Sequence, residues 1–427
     1  MTKATISARF GAVSLIHAVL MDRKMLGDTV AQEDGPLERL APPDRARAQT
    51  LAALTLRHMP RLDAVLDGFL EHKPPLRALN ALRVCAAEIV LDGIPAHGAV
   101  NAAVEIVRSG AKTQHLGGMV NAVGRKLGAL DPAAFEDLPV PELPKALRGA
   151  ILKAFGAEAT QAMEAAHLQR PPVDFTVKNP ARIAEFAQKL DAEMLPTGSL
   201  RLHQPGQISA LPGFEDGDWW VQDAAAAMPV RILGNVAGQR VLDLCAAPGG
   251  KTMQLCAAGA DVTALDVSPE RMHRVMENTR RMGFRPDMQV EDAMKWAPKQ
   301  PFDAILLDAP CSATGTIRRH PDLPFAKDGT GIHELISLQR KMLKKAGSLV
   351  KPGGSLVFCT CSLIPDEGEV HIEEFLARNN DFTADTNLPE GIDPAWVTIE
   401  GGVRLRPDYW SEHGGMDGFY LAKLNRA

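Results

Sequence analysis

The chain has 427 residues, which is more than one hydrophobic core usually organises, so we expect two to three domains. With 45% hydrophobic and 23% charged residues, the composition is typical of a globular protein and excludes a disordered, collagen-like or coiled-coil chain. No apolar run approaches the length of about 18 residues that a membrane-spanning helix needs. We expect a cytoplasmic protein that acts as a monomer.

The net charge of −5 conceals an uneven distribution along the chain. Residues 1–130 carry 16 lysines and arginines against 12 acidic residues, a balance of +4, so the remaining residues carry −9. This excess of positive charge at the amino end permits a surface that binds RNA, although charge alone does not establish one.

The six cysteines are too few to form a disulfide framework in a chain of this length. Five of them fall in the last half of the sequence, a placement that favours chemistry or chance over cross-linking. These five are Cys245, Cys256, Cys311, Cys359 and Cys361.

The amino-terminal part, residues 1–130, shows helical periodicity throughout. Val13, Ile16 and Leu20 share one helical face, and strand-like alternation is absent. Prolines divide this part into short helices, at positions 42–43, 60, 74–75 and 95. The pattern predicts a compact all-α bundle.

Two smaller segments follow the predicted bundle. Residues 131–144 are rich in proline and acidic side chains, which predicts a linker. Residues 145–235 begin with a helical pattern and continue with a strand-like run, Val173 to Val177, and a helical run, Ile183 to Leu190. We predict a small α/β module here.

Residues 236–427 alternate strand-length apolar runs with helical stretches at 269–282 and 333–346, a pattern that predicts a doubly wound α/β sheet. In such sheets, ligands bind beyond the carboxyl ends of the strands, where the strand order reverses. The strand-length runs are 241–244, 262–266, 288–290, 304–308 and 355–358.

A loop of small residues, 245–252, follows the first of these strands and opens a helix, so its backbone N–H groups can approach a ligand closely. A phosphate-binding P-loop would need glycine where Cys245 stands, and no dinucleotide glycine motif is present. A nucleoside without a pyrophosphate remains, and Asp266 could bind its ribose diol. This combination fits S-adenosylmethionine, although the loop could also be only a tight turn. Asp292 could accept from an adenine amino group or could be a solvated cap.

Two further strands end in cysteine-containing loops, at Asp308 to Thr316 and at Cys359 to Ser362. Carbon 5 of cytosine becomes a nucleophile once a thiolate adds to carbon 6, and an acid and a second proton-transfer group must assist. Cys361, Asp308 and Cys311 could supply these groups. The cysteines could instead be buried core residues or could bind zinc. Cys359, one residue out of phase on its strand, is expected to point the other way and to be structural.

These motifs resemble those of the Nol1/Nop2/Sun family of RNA cytosine-C5 methyltransferases, whose signatures are CAAPGGKT, DAPCSGTG and TCS. The resemblance covers about residues 205–424, and Ala313 replaces the family's glycine in the second signature. It implies that Cys361 is the nucleophile, that Cys311 assists breakdown of the adduct and that Asp308 faces the cytosine. It also implies cofactor contacts from Cys245, Ala246, Ala247, Pro248, Gly249, Gly250, Lys251, Asp266, Asp292 and Asp308.

The amino-terminal part resembles the helical fold of the antitermination factor NusB, through stretches at residues 44–46, 56–63, 94–101 and 120–123. A leucine is usual in that fold where Gly124 stands. Fusion of the two parts is the arrangement of the bacterial RsmB-type (Sun/Fmu) enzymes. It implies an RNA-binding role for the bundle, although Arg57 and Arg61 could equally belong to a solvated helix face.

The sequence therefore predicts an enzyme that uses S-adenosylmethionine to methylate carbon 5 of one cytosine in small-subunit (16S) ribosomal RNA, through a covalent cysteine–cytosine adduct. The target base must be accessible, so we expect the RNA to be partly assembled or the base to be flipped out. Transfer RNA is an alternative substrate. A catalytically idle RNA-binding or antitermination factor is a second alternative, against which the intact Cys311 and Cys361 argue.

Overall fold

The structure, a computed structural model, describes residues 3–427, with side chains described from residue 8 onward. It divides into two units, one formed by residues up to 148 together with 317–328, the other by residues 149–316 together with 329–427. The predicted fold class is confirmed: the first unit is helical, and the second contains a doubly wound sheet. No helix in the described part of the chain is long and apolar enough to cross a membrane.

Proline residues mark where helices of the first unit begin, because a proline at the first turn forfeits no helical hydrogen bond. The predicted breaks coincide with the amino ends of four helices. Val13 and Ile16 are buried in the core and Leu20 packs against it, as their shared face predicted. The helices are α1 (Lys3–Asp22), α2 (Leu26–Ala31), α3 (Pro42–Arg57), α4 (Met59–Asp67), α5 (Leu76–Val90), α6 (Ala96–Arg108), α7 (Gly117–Gly128) and α8 (Pro132–Glu136).

Arg61 does not lie on a solvated helix face, so that interpretation is wrong for this residue. Its side chain is buried and donates to the carbonyl oxygens of Phe135 and Glu136, and its guanidinium lies 4.5 Å from the centroid of the Phe135 ring. Arg57 is half-buried. Phe135 lies in the segment predicted as a linker, yet it is fully buried in the core of the first unit.

The second unit contains a small antiparallel sheet, with the strand order β2-β3-β1-β4. The strand predicted at Val173–Val177 and the helix predicted at Ile183–Leu190 are both confirmed. The elements are α9 (Lys145–Leu168), β1 (Val173–Val177), α10 (Ile183–Leu190), β2 (Glu193–Met194), β3 (Leu200–Leu202), β4 (Trp219–Val221) and α11 (Ala224–Leu233).

A fully buried ion pair holds this small sheet. Asp174 of β1 lies opposite Arg201 of β3, and the two side chains form bonds of 2.6 and 2.8 Å. Both Nη1 hydrogens go to the carbonyl oxygens of His413 and Gly415, each at 2.8 Å, and the carboxylate also accepts from Ala224 N–H at 2.9 Å. Because buried charges cost little only when their hydrogen bonds are satisfied, this pair fixes the sheet against the carboxyl-terminal segment.

The large sheet of the second unit has the order β10-β12-β9-β8-β5-β6-β7, and β11 pairs with β12. Strands β5 to β9 are parallel and β12 is antiparallel to β9. The strand order reverses between β5 and β8, because β6 and β7 follow on one side of β5 and β8 and β9 on the other. Such a reversal places a ligand crevice at the carboxyl ends of β5 and β8. The elements in this range are β5 (Arg240–Leu244), α12 (Gly250–Ala257), β6 (Asp261–Asp266), α13 (Pro269–Arg281), β7 (Asp287–Val290), β8 (Phe302–Asp308), α14 (Leu323–Ala326), α15 (Ile332–Leu349), β9 (Val350–Thr360), α16 (Glu369–Arg378), β10 (Phe382–Ala384), β11 (Val403–Leu405) and β12 (Phe419–Arg426).

Residues 317–328, which include α14, belong to the helical unit although they follow β8 in the chain. The carboxylate of Asp322 accepts from Leu26 N–H at 2.6 Å, Arg23 donates to the carbonyl of Phe325, and the Phe325 ring packs against the bundle core. The bundle therefore contacts a segment that begins immediately after the Cys311 loop. The four-part division of the chain made from the sequence stays a prediction.

The Asp174–Arg201 pair yields a stability prediction. Replacing Asp174 with Asn should lower the free energy of unfolding of the second unit by about 3–5 kcal/mol, because the substitution leaves Arg201 as an uncompensated buried charge. Urea unfolding followed by circular dichroism measures the change. The exposed carboxylate of Glu185, which pairs with Lys189 and Arg182, provides the control, since Glu185→Gln should cost far less in a solvent-exposed cluster. Equal costs for the two variants would contradict this assignment.

Candidate active site

The two cysteine loops meet because β8 and β9 are adjacent parallel strands. Their register sets Asp308 beside Cys359, and the loops continue the pairing through a bond from Ala309 N–H to the carbonyl of Cys359 at 2.9 Å. One turn further on, Gly315 N–H donates to the carbonyl of Cys361 at 2.9 Å. As a result, the sulfur atoms of Cys311 and Cys361 lie 3.5 Å apart.

The two thiols differ in their electrostatic surroundings. The contact with Cys361, and after it burial, raise the pKa of the Cys311 thiol well above its usual value. Cys311 therefore stays protonated near neutral pH, and the 3.5 Å separation allows either sulfur to donate to the other.

Ala313, in the loop between these cysteines, has a φ of 61°, in the left-handed region. A side chain at such a φ costs roughly 1–2 kcal/mol relative to glycine. This cost explains why the Nol1/Nop2/Sun family, which the sequence motifs resemble, carries glycine at the position of Ala313. The replacement leaves the loop's hydrogen bonds in place, including Thr316 N–H to the carbonyl of Ala313 at 2.9 Å.

Cys359 is fully buried in the core, but it does not point away from Cys361 as expected, because residues two positions apart on a strand share a face and both pack in the same core cluster. Burial raises the pKa of its thiol well above the usual value, and the thiol lies 3.7 Å from Oδ1 of Asp308. Among the described side chains, no group of three or more histidines, cysteines and acids is arranged to hold a metal ion.

Asp308 forms an ion pair with Lys251 at the carboxyl ends of β8 and β5. The Nζ–Oδ2 distance is 2.7 Å, and Nζ also lies 5.3 Å from the centroid of the Phe419 ring. Burial acts to lower the pKa of Lys251, but Asp308 and the other acidic groups nearby outweigh it and raise the pKa above its usual value. Asp308 is partly exposed and therefore borders the crevice with a fixed positive charge behind it.

The loop that follows β5 is held in place by hydrogen bonds from α13. Arg271 and Asn278 of α13 bind the carbonyl oxygens of Ala247 and Pro248 at 2.9 and 3.0 Å. Gly249 has a φ of 102°, and a Cβ there would lie 3.2 Å from Val275 Cγ1. Glycine is therefore required for the backbone to lie this close to α13.

Asp266 lies beside this loop at the end of β6 and is almost fully buried. Its carboxylate accepts from Ala247 N–H at 3.3 Å and from Ser268 N–H at 3.0 Å, and Arg271 lies 3.6 Å away. Each carboxylate oxygen has two lone pairs, so capacity for a further donor remains. These bonds orient the carboxylate toward the crevice side of the loop.

Beneath the loop, Asp243 is a fully buried carboxyl group that the sequence did not single out as functional. Thr252 donates to its Oδ2 at 2.6 Å, and Oδ1 has no partner among the described residues. Burial raises the pKa of Asp243 to about 7, although the bond from Thr252 acts to lower it. This carboxyl group supports the first turn of α12.

Asp292, after β7, behaves locally as a turn cap. Its Oδ1 accepts from Met294 N–H at 2.9 Å, and its side chain is 40% exposed. Nearby along the same edge, the apolar side chains of Val267 and Val290 are exposed to solvent. The sequence analysis missed both valines, although an apolar residue directly after a strand end is a detectable signal.

The sequence analysis also missed Glu367, which is completely buried behind the two cysteine loops. It hydrogen-bonds to Ser312 and Ser362, the residues that follow Cys311 and Cys361. A single glutamate in a loop carries no sequence pattern that points to this position.

The structure thus brings Cys311, Cys361, Asp308 and Lys251 together at one edge, with the 245–252 loop and Asp266 at the carboxyl ends of the neighbouring strands. Asp292 follows β7, the last parallel strand of this series.

Comparison with known proteins identifies two parts of the chain. The family model described as 16S rRNA methyltransferase RsmB/F matches residues 230–425, and the NusB family model matches residues 7–128. Ribosomal RNA small subunit methyltransferase B of Erwinia tasmaniensis is 35% identical over 402 residues, which cover 89% of this chain and 90% of that protein. The protein of that name from Pseudomonas syringae pv. tomato is 34% identical, with 98% and 97% covered.

A solved structure supports the fold over the whole length. The crystal structure of PH0851 aligns with a TM-score of 0.71 at 24% identity and covers 98% of this chain and 99% of that one. The identity and coverage of the relatives confirm the resemblance found in the sequence motifs. The chain belongs to the RsmB/F family of 16S rRNA methyltransferases and is an RNA methyltransferase.

Proposed function

We propose that this enzyme transfers a methyl group from S-adenosylmethionine to carbon 5 of a cytosine in small-subunit (16S) ribosomal RNA, through a covalent adduct with Cys361. The observation that carries the proposal is the 3.5 Å separation of the Cys311 and Cys361 sulfur atoms. Two thiols in contact at one crevice edge suit a reaction that needs a thiolate first and a proton acceptor later. The membership in the RsmB/F family supports the RNA substrate.

The loop residues fit S-adenosylmethionine. The backbone of Cys245, Ala246, Ala247, Pro248, Gly249, Gly250 and Lys251 would line the cofactor, and the close approach at Gly249 leaves room for it. Asp266, oriented by two backbone N–H groups, would accept from the ribose hydroxyls. The exposed faces of Val267 and Val290 would cover an adenine ring, and Asp292 would accept a hydrogen bond from its amino group. When bound, the cofactor supplies an electrophilic methyl group.

Cys361 begins the reaction as a thiolate. Its sulfur bonds to carbon 6 of cytosine, and the electron pair of the carbon 5–carbon 6 double bond moves toward carbon 5. Asp308, with Lys251 behind it, faces the cytosine edge, where its carboxylate accepts from the amino group. Carbon 5 takes the methyl group, and loss of its proton restores an electron pair that expels the Cys361 sulfur as a thiolate.

Cys311 is proposed to assist this last step. The contact with Cys361 is the largest cause of its raised pKa. Once the Cys361 sulfur is bonded to carbon 6, it no longer carries a charge that opposes ionisation of Cys311. Formation of the adduct therefore favours the Cys311 thiolate, which is the form that can accept the carbon 5 proton.

The helical bundle is proposed to bind RNA phosphates. Its balance of +4 contrasts with the −9 of the rest of the chain, and the bundle's model match is to the NusB family. Four exposed cations lie on α6, the following loop and α7: Arg108, Lys112, Arg125 and Lys126.

The cofactor assignment predicts that Asp266→Ala weakens S-adenosylmethionine binding at least about tenfold, since loss of a charged acceptor costs roughly 1.5–3 kcal/mol. Isothermal titration calorimetry measures the affinity. Asp261→Ala, at the exposed opposite end of β6, is the control and should leave the affinity unchanged. Unchanged affinity in a folded Asp266→Ala protein would contradict the ribose assignment.

The cysteine roles predict different outcomes for two substitutions. Cys361→Ala should abolish both methylation and adduct, whereas Cys311→Ala should accumulate a covalent protein–RNA species that survives denaturing electrophoresis. Cys256→Ala, on α12, controls for loss of a cysteine outside the crevice. The reverse pattern would exchange the two roles, and adducts from both variants would mean that neither cysteine is the sole nucleophile.

The RNA-binding role of the bundle predicts a change in salt dependence. Each phosphate contact contributes about 0.7–0.9 to the slope of log affinity against log salt, so replacing the four exposed cations with alanine should flatten the slope by up to about 3. Filter binding of 16S ribosomal RNA at several salt concentrations measures it, and cofactor affinity should not change. An unchanged slope would remove these cations from the RNA interface.

A further inference from the structure

Glu367 lies behind both cysteines, in a short 3-10 turn at Pro365–Glu367 that follows the Cys361 loop. Its Oε1 accepts from Ser312 N–H at 2.9 Å. Its Oε2 accepts from the hydroxyls of Ser312 and Ser362, both at 2.5 Å. One carboxylate therefore holds the residue that follows Cys311 and the residue that follows Cys361.

The donors and acceptors around this carboxylate leave few alternative directions for the hydroxyl hydrogens. Each serine hydroxyl has one hydrogen, and each donates it to Glu367, while Ser362 Oγ accepts from Ile364 N–H at 3.0 Å. Thr314 Oγ1 accepts from Leu363 N–H at 2.9 Å and lies 3.2 and 3.3 Å from the two serine hydroxyls. The hydroxyl hydrogen of Thr314 can go to either serine, and every other hydrogen in the cluster has one destination.

A second layer fixes the carboxylate from behind. Gln339 of α15 donates to Oε1 of Glu367 at 3.0 Å and to the carbonyl of Pro310 at 2.8 Å. Its amide oxygen therefore faces His371 Nε2 at 2.9 Å, so that nitrogen must carry the hydrogen. Burial lowers the pKa of His371 to about 4, so this histidine is neutral near pH 7. The backbone carbonyl of Glu367 also accepts from Thr360 Oγ1 at 2.9 Å.

We propose that Glu367 is a positioning residue that sets the separation between the Cys311 and Cys361 sulfur atoms by holding Ser312 and Ser362. The effect of Glu367 on the sulfur–sulfur distance is independent of the proposed function. Its effect on methyl transfer rests on the proposed function. Glu367 is screened from the crevice by the residues it holds, so it does not touch the reacting atoms.

The size-matched substitution Glu367→Gln replaces one of the two acceptor oxygens of Glu367 with a donor NH₂ group. An amide offers one acceptor and one NH₂ group, but four donors converge on the two oxygens of Glu367. Two of those donors would then face another donor, and the loops must separate to relieve the conflict. Because each loop carries one cysteine, the sulfur–sulfur distance increases with that separation.

The test combines a thiol readout with a catalytic one. Alkylation of Cys311 and Cys361 by iodoacetamide is followed against pH by mass spectrometry in the wild type, in Glu367→Gln and in Glu88→Gln. Glu88 is a buried glutamate of the bundle, bonded to Arg9 and Arg47, and controls for general loss of stability. Methyl transfer to transcribed 16S ribosomal RNA and cofactor affinity by calorimetry are measured on the same proteins.

In the wild type we expect Cys311 to react only at high pH, because the contact with Cys361 and burial raise the pKa of its thiol. We also expect a gap in pH between the two profiles, because ionisation of one sulfur opposes ionisation of the other. In Glu367→Gln the gap between the two profiles should narrow by about one pH unit or more as the sulfurs move apart. The turnover number should fall about 100-fold, the loss expected for a displacement of about 1 Å, while cofactor affinity changes less than about twofold. Glu88→Gln should keep the wild-type gap and turnover number.

An unchanged gap in folded Glu367→Gln would overturn the proposal. If Glu367→Gln does not fold, Ser362→Ala carries the test, because it removes one of the two hydroxyl donors and should narrow the gap in the same direction. An unchanged gap in Ser362→Ala would then overturn it. Failure of the proposed function would be seen in a different measurement. The wild type would then not methylate cytosine in RNA, whether or not the alkylation profiles of its two thiols agree with the positioning role of Glu367.

Discussion

The parallel pairing of β8 with β9 is the constraint on which the site depends. Two cysteines that lie 50 residues apart in the chain become neighbours because the strands that carry them are adjacent and in register. The pairing continues past the strand ends, where Gly315 N–H binds the carbonyl of Cys361 and Gly418 N–H binds the carbonyl of Gly315. A Cβ at Gly315 would lie 2.0 Å from the carbonyl oxygen of Gly418, so only glycine permits this approach. A shift in register by one residue would turn one of the cysteines to the other face of the sheet.

Burial decides how the charged groups near this edge behave. Lys251 keeps its charge because Asp308 lies 2.7 Å away, whereas Asp243, with only Thr252 as a donor, has its pKa raised to about 7. The Cys311 thiol is held protonated mainly by its neighbour Cys361. The same sheet edge therefore offers a carboxylate held by a lysine and two thiols in contact. This variety is what a reaction that first adds a thiolate and later removes a proton requires.

Much of this arrangement could be predicted from the sequence. Apolar runs bounded by small residues predicted β1, β5, β6, β8 and β9, and prolines predicted where the bundle helices begin, because both signals are local. The motif loops predicted which side chains share the edge, since the carboxyl ends of parallel strands meet there. Local signals could not predict Glu367, whose four donors come from three separate parts of the chain. They also could not predict that Arg61 is buried against Phe135, because a helix face becomes buried only through what packs on it. The attachment of residues 317–328 to the bundle is likewise a contact between distant parts of the sequence.

The central claim is that Cys361 forms a covalent bond to cytosine while Cys311 remains free. Incubation with S-adenosylmethionine and 16S ribosomal RNA containing 5-fluorocytidine tests it directly, because fluorine at carbon 5 blocks the proton loss that releases the enzyme. After nuclease and protease digestion, mass spectrometry identifies which peptide carries the modified nucleotide. The account predicts a methylated fluorocytidine on the peptide that contains Cys361. A nucleotide on Cys311, or efficient methylation of unmodified RNA with no trapped adduct on either cysteine, would contradict it.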